Sequence, residues 1–182
     1  LSEFVPAVGT VAELEFLNMP KVKIVVDRKA GKLTVNGMDN IEFLISANVG
    51  EEPKPIAKIA SGGELSRIML ALKNVIADKD SIETLIFDEI DTGVSGEVAS
   101  KIADIMKEMS NTLQLISITH LPQIASKAKN HLFVYKNTEG DKTNSNIRIL
   151  SKEERITEIA KMLSNDKITA EALKAAEVLI TQ

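Results

Sequence analysis

Between residues 61 and 118 the spacing of the apolar side chains switches repeatedly between two periods, and that alternation leaves few architectures open. Leu65, Ile68, Met69, Leu72, Val75 and Ile76 recur at helical spacing, so the stretch opening at Ser61 predicts an amphipathic helix with those side chains inward. Residues 84–87 are a short, wholly apolar run, the pattern of a parallel strand covered on both faces. Ser95 then opens a second helix with Val98, Ala99, Ile102, Ile105, Met106 and Met109 inward, and residues 113–118 make a second buried strand. Strand and helix in alternation predict an α/β layered fold with parallel core strands, flanking helices and added β-hairpins.

The flanks are read from their punctuation. Val11, Leu14 and Leu17 have helical spacing ahead of Pro20, while Pro6 and Gly9 argue against a long uninterrupted helix through residues 1–20. Residues 21–27 alternate charged and β-branched side chains, residues 29–32 turn, and residues 33–35 return, which predicts a β-hairpin. Residues 41–47 supply a third strand, and Pro53 and Pro55 make residues 51–58 an extended loop. Farther on, Pro122 opens a short helix, and residues 132–136 and 146–150 flank Gly140-Asp141 as a second hairpin. Helices at residues 152–163 and 170–180 finish the chain, with Ser151 and Glu154 at capping-box spacing.

The bulk properties exclude several classes of function. The 182 residues are 44% apolar, enough for one domain with a sizeable core. No apolar run is long enough to span a bilayer, and no leader pattern is present, so a cytoplasmic protein without a membrane partner is expected. The absence of cysteine rules out disulfides and thiolate metal sites. A net charge of -4 and only six aromatic residues argue against a broad nucleic-acid surface, so any DNA contact is local or lies in a part of the protein beyond this chain. A chain opening on Leu1 reads as a piece of a longer one.

Three places carry chemistry. Ser61-Gly62-Gly63-Glu64 has the spacing of a capping box, yet two glycines in a first helical turn cost about 1 kcal/mol each relative to alanine. Bare backbone at the positive end of a helix lets a phosphate approach unpaired N–H groups. Residues 85–91, L-I-F-D-E-I-D, end the first core strand in Asp88, Glu89 and Asp91, where open α/β sheets bind ligands. Asp88 would hold Mg²⁺ and Glu89 would act as general base toward a water. His120 follows the second core strand at the equivalent position, whereas His131 has no such placement and is taken as structural. The phosphate-wrapping G-x-x-x-x-G-K-[ST] loop is missing: Gly31-Lys32 is followed by Leu33 and has no partner glycine. Read without any family, Asp88, Glu89, Asp91 and His120 also admit a stand-alone metal-dependent phosphohydrolase or nuclease.

Taken in order, these segments resemble the C-terminal lobe of ABC-type ATPase heads in the SMC-like branch, and within it the RecN family of bacterial DNA-repair proteins. S-G-G-E-L at Ser61 is similar to the ABC signature, L-I-F-D-E at Leu85 to Walker B, Thr92, Gly93, Val94 and Ser95 to the D-loop, and His120 to the switch histidine. Longer strings agree, among them F-L-I-S-A-N-V-G-E from Phe43, D-E-I-D-T-G-V-S-G from Asp88 and T-H-L-P-Q-I-A from Thr119. Ser95 stands where many such loops carry aspartate. The resemblance implies a split ATPase using ATP and Mg²⁺. Its P-loop would come from the protein's own N-terminal lobe, joined through a coiled coil whose exit is residues 1–20, with residues 21–182 as the C-terminal lobe. It further implies a homodimer of heads with ATP sandwiched between them. Ser61, Gly62, Gly63 and Glu64 would then serve the partner's nucleotide, and Asp88, Glu89 and His120 their own. DNA double-strand break repair would be the setting, and this chain alone would be inactive.

Overall fold

The computed structural model describes residues 5–35, 37–59, 62–76, 82–88, 90–94, 96–139, 142–165 and 167–181. They divide into two compact units, Leu1–Ile118 and Thr119–Gln182.

The first unit opens with α1 (Val5–Phe16), which runs through both Pro6 and Gly9. The expected interruption does not occur, for two reasons. Pro6 lies in the first turn, where its missing N–H has no intrahelical partner to lose. Gly9 faces the second helix: a Cβ there would lie 3.3 Å from both methyl groups of Val75, so its bare surface is used for close helix packing. The chain then forms β1 (Lys23–Thr34) and β2 (Gly37–Ser46), one long antiparallel hairpin. Its reversal lies beyond Thr34, which pairs with Gly37, and not at residues 29–32; the stretch between Ala30 and Thr34 is instead a break in register within the strand. Asp27 faces Glu42 across the ladder, and Lys29, with Nζ 2.8 Å from Asp27, offsets that like-charge pair. The expected loop at residues 51–58 contains a two-residue strand, β3 (Lys54–Pro55), on the free side of β2, followed by a 3-10 turn at Ile56–Lys58.

Helix α2 (Gly62–Ile76) buries Ile68, Leu70 and Ala71, while Met69 is 41% exposed. Its inward face is therefore rotated from the one the spacing suggested, because Leu70 is also covered. Leu14, Met19, Val22, Ile45, Ile68 and Ala71 form the core that joins α1, α2 and the near end of the hairpin. A parallel crossover follows: β4 (Thr84–Asp88), α3 (Gly96–Met109) and β5 (Gln114–Ile118), with Asp88 opposite Ile118. Helix α3 buries Ala99, Ile102, Ala103, Ile105, Met106 and Met109 as its periodicity requires. The two strands are not covered on both faces. Ile86 and Ile118 are 64% and 53% exposed, while Leu85, Phe87 and Leu115 alternate with them as half-buried residues.

The second unit begins with α4 (Pro122–Lys127), followed by the antiparallel hairpin of β6 (Leu132–Glu139) and β7 (Lys142–Ile149). Helices α5 (Lys152–Ser164) and α6 (Ala170–Thr181) close it, packing Ile159, Ala160, Ala172 and Ala176 against Ala125 of α4. Helix α5 starts in a complete capping box: the Glu154 N–H donates to Ser151 Oγ at 3.2 Å, and the Ser151 N–H donates to Glu154 at 2.8 Å. It ends on Asn165 in the left-handed region. His131 is half-buried, and burial, reinforced by the Arg155 charge and opposed by Glu158, holds its imidazole below the ordinary value. It stays a neutral packed side chain, in keeping with a structural role.

Candidate functional site

The start of α2 meets the turn that follows β4 through a glycine. Gly63 is buried, and a Cβ on it would lie 3.1 Å from the Thr92 carbonyl oxygen and 3.4 Å from that of Gly93. The missing side chain lets the helix start rest closely on that turn, where a Cβ would press on backbone. The turn itself is closed by the Val94 N–H donating to the Asp91 carbonyl at 3.0 Å, with Gly93 at φ +72° supplying the conformation that L side chains disfavour. Ile90 and Asp91 are buried within it, at 5% and 0% exposure. Thr92 and Gly93 are exposed and Val94 is half-buried.

Gly62 differs from its neighbour. It is exposed, nothing lies within 4 Å of where its Cβ would be, and its φ is outside the left-handed region. The two glycines thus do different jobs, where the sequence suggested one shared purpose. Gly63 seats the helix on the turn, and Gly62 leaves bare backbone at the helix's positive end. Glu64 is half-buried in the same first turn. Ser61, Glu89 and Ser95 lie outside the described residues.

Two cations fix this assembly from behind. Arg67 of α2 donates from Nε to the Gly63 carbonyl at 3.1 Å and from Nη1 to the Leu17 carbonyl at 3.2 Å. Lys101 of α3 donates to Asn18 Oδ1 at 2.7 Å, pairs with Glu97 at 2.8 Å and lies 5.4 Å from the centre of the Phe16 ring. The helices that follow the glycine pair and the turn are both tied to the end of α1. Neither residue was marked by the sequence reading: a charged side chain at a partly buried helix position has no periodic signature.

Asp88 is exposed at the carboxyl end of β4. As a hard oxygen donor open to solvent it suits one place in a Mg²⁺ shell, the remainder coming from water and phosphate oxygens. Among the described residues no three His, Cys, Asp or Glu side chains gather into a metal cluster. His120 is exposed in the second unit, two residues beyond the strand partner of Asp88 in sequence. There the Leu121 N–H donates to Thr119 Oγ1 at 3.0 Å, immediately ahead of α4.

Comparison with known proteins gives this arrangement a family. The chain is 48% identical over 144 residues to the DNA repair protein RecN of Treponema pallidum, covering 79% of this chain and 25% of that protein. It is 42% identical to RecN of Bacillus subtilis over 83% of this chain and 26% of that protein. This is a RecN-like sequence. RecN of Rickettsia conorii matches over 92% of the chain at 44% identity, with 31% of that protein covered. The chain therefore spans about a quarter to a third of the length of these RecN relatives. No protein-family model matches. Among solved structures, the Smc head domain with a coiled coil and joint derived from Pyrococcus yayanosii superposes with a TM-score of 0.67 at 23% identity, over 89% of this chain and 29% of that one. An Smc head bound to the C-winged helix domain of ScpA gives 0.56 at 22% identity, over 81% of this chain and 43% of that one. The fold is that of an SMC-type head lobe, as the resemblance implied, and its α/β class is the one that the alternation of strands and helices indicated.

Proposed function

We propose that this RecN-like chain is the C-terminal lobe of an SMC-like ATPase head that works in DNA double-strand break repair and recombination in the bacterial cytoplasm, at the nucleoid. Residues 1–20 would be the exit from a coiled coil and residues 21–182 the lobe proper. The P-loop would come from the protein's own N-terminal lobe, and DNA would be engaged by the full-length protein. The observation that carries this reading is Gly62: bare, exposed and unstrained at the start of a 15-residue helix, and held in place by the packing of Gly63 on the Thr92–Gly93 carbonyls.

The site works in two halves. Ser61, Gly62 and the backbone N–H of Glu64 meet the γ-phosphate of an ATP held by a second copy, where backbone N–H groups and the helix dipole favour negative charge. Asp88 would hold Mg²⁺, which would neutralise phosphate charge. Glu89 takes a proton from the attacking water as its oxygen bonds to the γ-phosphorus and the bond to ADP breaks. His120 donates a hydrogen bond to the transferred phosphoryl group. The D-loop, Thr92 through Ser95, links the halves, because the turn that follows Asp88 is the surface on which Gly63 sits. Hydrolysis then requires two heads, and a chain without P-loop amides and lysine has no appreciable ATP affinity. The alternative, a stand-alone metal-dependent hydrolase, leaves the glycine pair unexplained and has no support in the RecN relatives.

The test joins this chain to its N-terminal lobe. Glu89→Gln should bind ATP, accumulate head dimers and lose turnover by about 10²-fold or more, the range of a general base. Turnover at the unmodified rate would overturn the mechanism, and tight ATP binding by this chain alone, measured by calorimetry, would overturn the split site.

A further inference from the structure

We propose that Arg155 is the positioning residue of His120, acting through the short helix α4. The inference rests on the reading of His120 given above and concerns the second unit alone.

Helix α4 has six residues, far too few to persist by its own hydrogen bonding. Its beginning is continuous with the segment that carries His120. The Leu121 N–H donates to Thr119 Oγ1, and the Leu121 carbonyl accepts from the Ile124 and Ala125 N–H groups at 3.2 and 3.1 Å. Pro122 fixes the first helical position. Residues 119–125 thus form one hydrogen-bonded piece with His120 near its open end, and the orientation of the histidine follows that of α4.

The other end of α4 has no cap of its own. Ala128 leaves in extended conformation, without the left-handed residue that closes α5. The cap is supplied from elsewhere: Arg155 Nη2 donates to the carbonyls of Ala125 at 3.3 Å, Ser126 at 2.6 Å and Ala128. A positive charge at the carbonyl end of a helix also complements its dipole. Arg155 is itself well held, in the second turn of a boxed helix, with its N–H on the Ser151 carbonyl at 2.9 Å. Ile124 and Ala125 are buried, so α4 is pinned by packing on one side and by a guanidinium at its end. Burial lowers the guanidinium below its ordinary value, in keeping with a charge held partly out of bulk water against these carbonyls. A partly buried arginine spent on two carbonyls of a six-residue helix and on that of the residue closing it is a device for placing that helix.

The experiment uses the full-length protein and compares Arg155→Met, Arg155→Lys, His120→Ala and the His120→Ala/Arg155→Met double variant. Ser164→Ala, which removes the hydroxyl that donates to the Ala160 carbonyl at the far end of α5, serves as a control for loss of Tm without loss of the clamp. His120→Ala should lower kcat by about 10²-fold and Arg155→Met by about tenfold, with KM for ATP within about twofold of the unmodified protein. Arg155→Lys, which reaches fewer carbonyls, should fall between and carries the test if the methionine variant does not fold. The double variant should be no slower than His120→Ala alone, since the arginine acts only through the histidine. Ser164→Ala should keep kcat within about twofold at a comparable drop in Tm. Unmodified kcat in both Arg155 variants with His120→Ala impaired would overturn this inference alone, as would a double variant in which the two losses multiply. Unmodified turnover in His120→Ala would overturn the reading of the site and the inference with it.

Discussion

Two helices in this chain begin with the same four-residue pattern, serine, two residues, glutamate, and they use it differently. At α5 the intervening residues are Lys152 and Glu153, the box is closed by hydrogen bonds in both directions, and Arg148 pairs with Glu154 at 2.6 Å. The Ser151 N–H, and then Arg148, hold the Glu154 carboxyl below its usual range. Every group there is spent on holding the helix in place. At α2 the intervening residues are Gly62 and Gly63, which are poor for helix stability; one is spent on packing against a neighbouring turn and the other is left open. A shared capping signature therefore says where a helix starts but not what its first turn is for. That depends on which side chains were given up.

The contrast can be broken at each position, and the largest effect is expected at Gly62. Gly62→Asp puts an acidic side chain where helix dipole and propensity both favour it, so Tm should hold or rise slightly. The same carboxylate meets the incoming phosphate, and ATP-driven head dimerisation of the full-length protein should weaken by about 10²-fold, measured by analytical ultracentrifugation. Dimerisation at the unmodified level would remove Gly62 from the interface.

Gly63→Ala should act on folding first. With carbonyl oxygens 3.1 and 3.4 Å from the new methyl group, helix or turn must give way, at about 1–3 kcal/mol in urea denaturation with an unchanged m-value. A stabilised variant would show that the helix start is free of the turn. The smallest effect belongs to Ser151→Ala, about 1 kcal/mol in stability, with turnover of the full-length protein unaltered because the backbone carbonyl at residue 151 still accepts from the Arg155 N–H. A comparable loss of turnover would mean that α5 communicates with the nucleotide more directly than through Arg155.

Much of the lobe was legible because local rules govern it. Helix α3 buries Ala99, Ile102, Ile105, Met106 and Met109 as its spacing names, the Pro122 helix and the Ser151–Glu154 helix begin where their start signals stand, and β6 and β7 pair as the expected hairpin. The errors occurred where a distant residue decided the outcome. Gly9 looked like a helix breaker until Val75 of α2 was packed against it. The β1–β2 reversal moved past residues 29–32 because pairing along a long strand outweighed a local turn preference.

Order along the chain, the glycine pair, the acidic end of β4 and the histidine beyond β5 were determined by sequence alone, since each is a statement about residue type and spacing. Which glycine is packed and which is open was decided only in three dimensions, by carbonyl oxygens some thirty residues away that no periodicity encodes. The same holds for Arg67 and Arg155, whose partners are backbone carbonyls. A carbonyl carries no residue identity, so the sequence holds no record of who will donate to it.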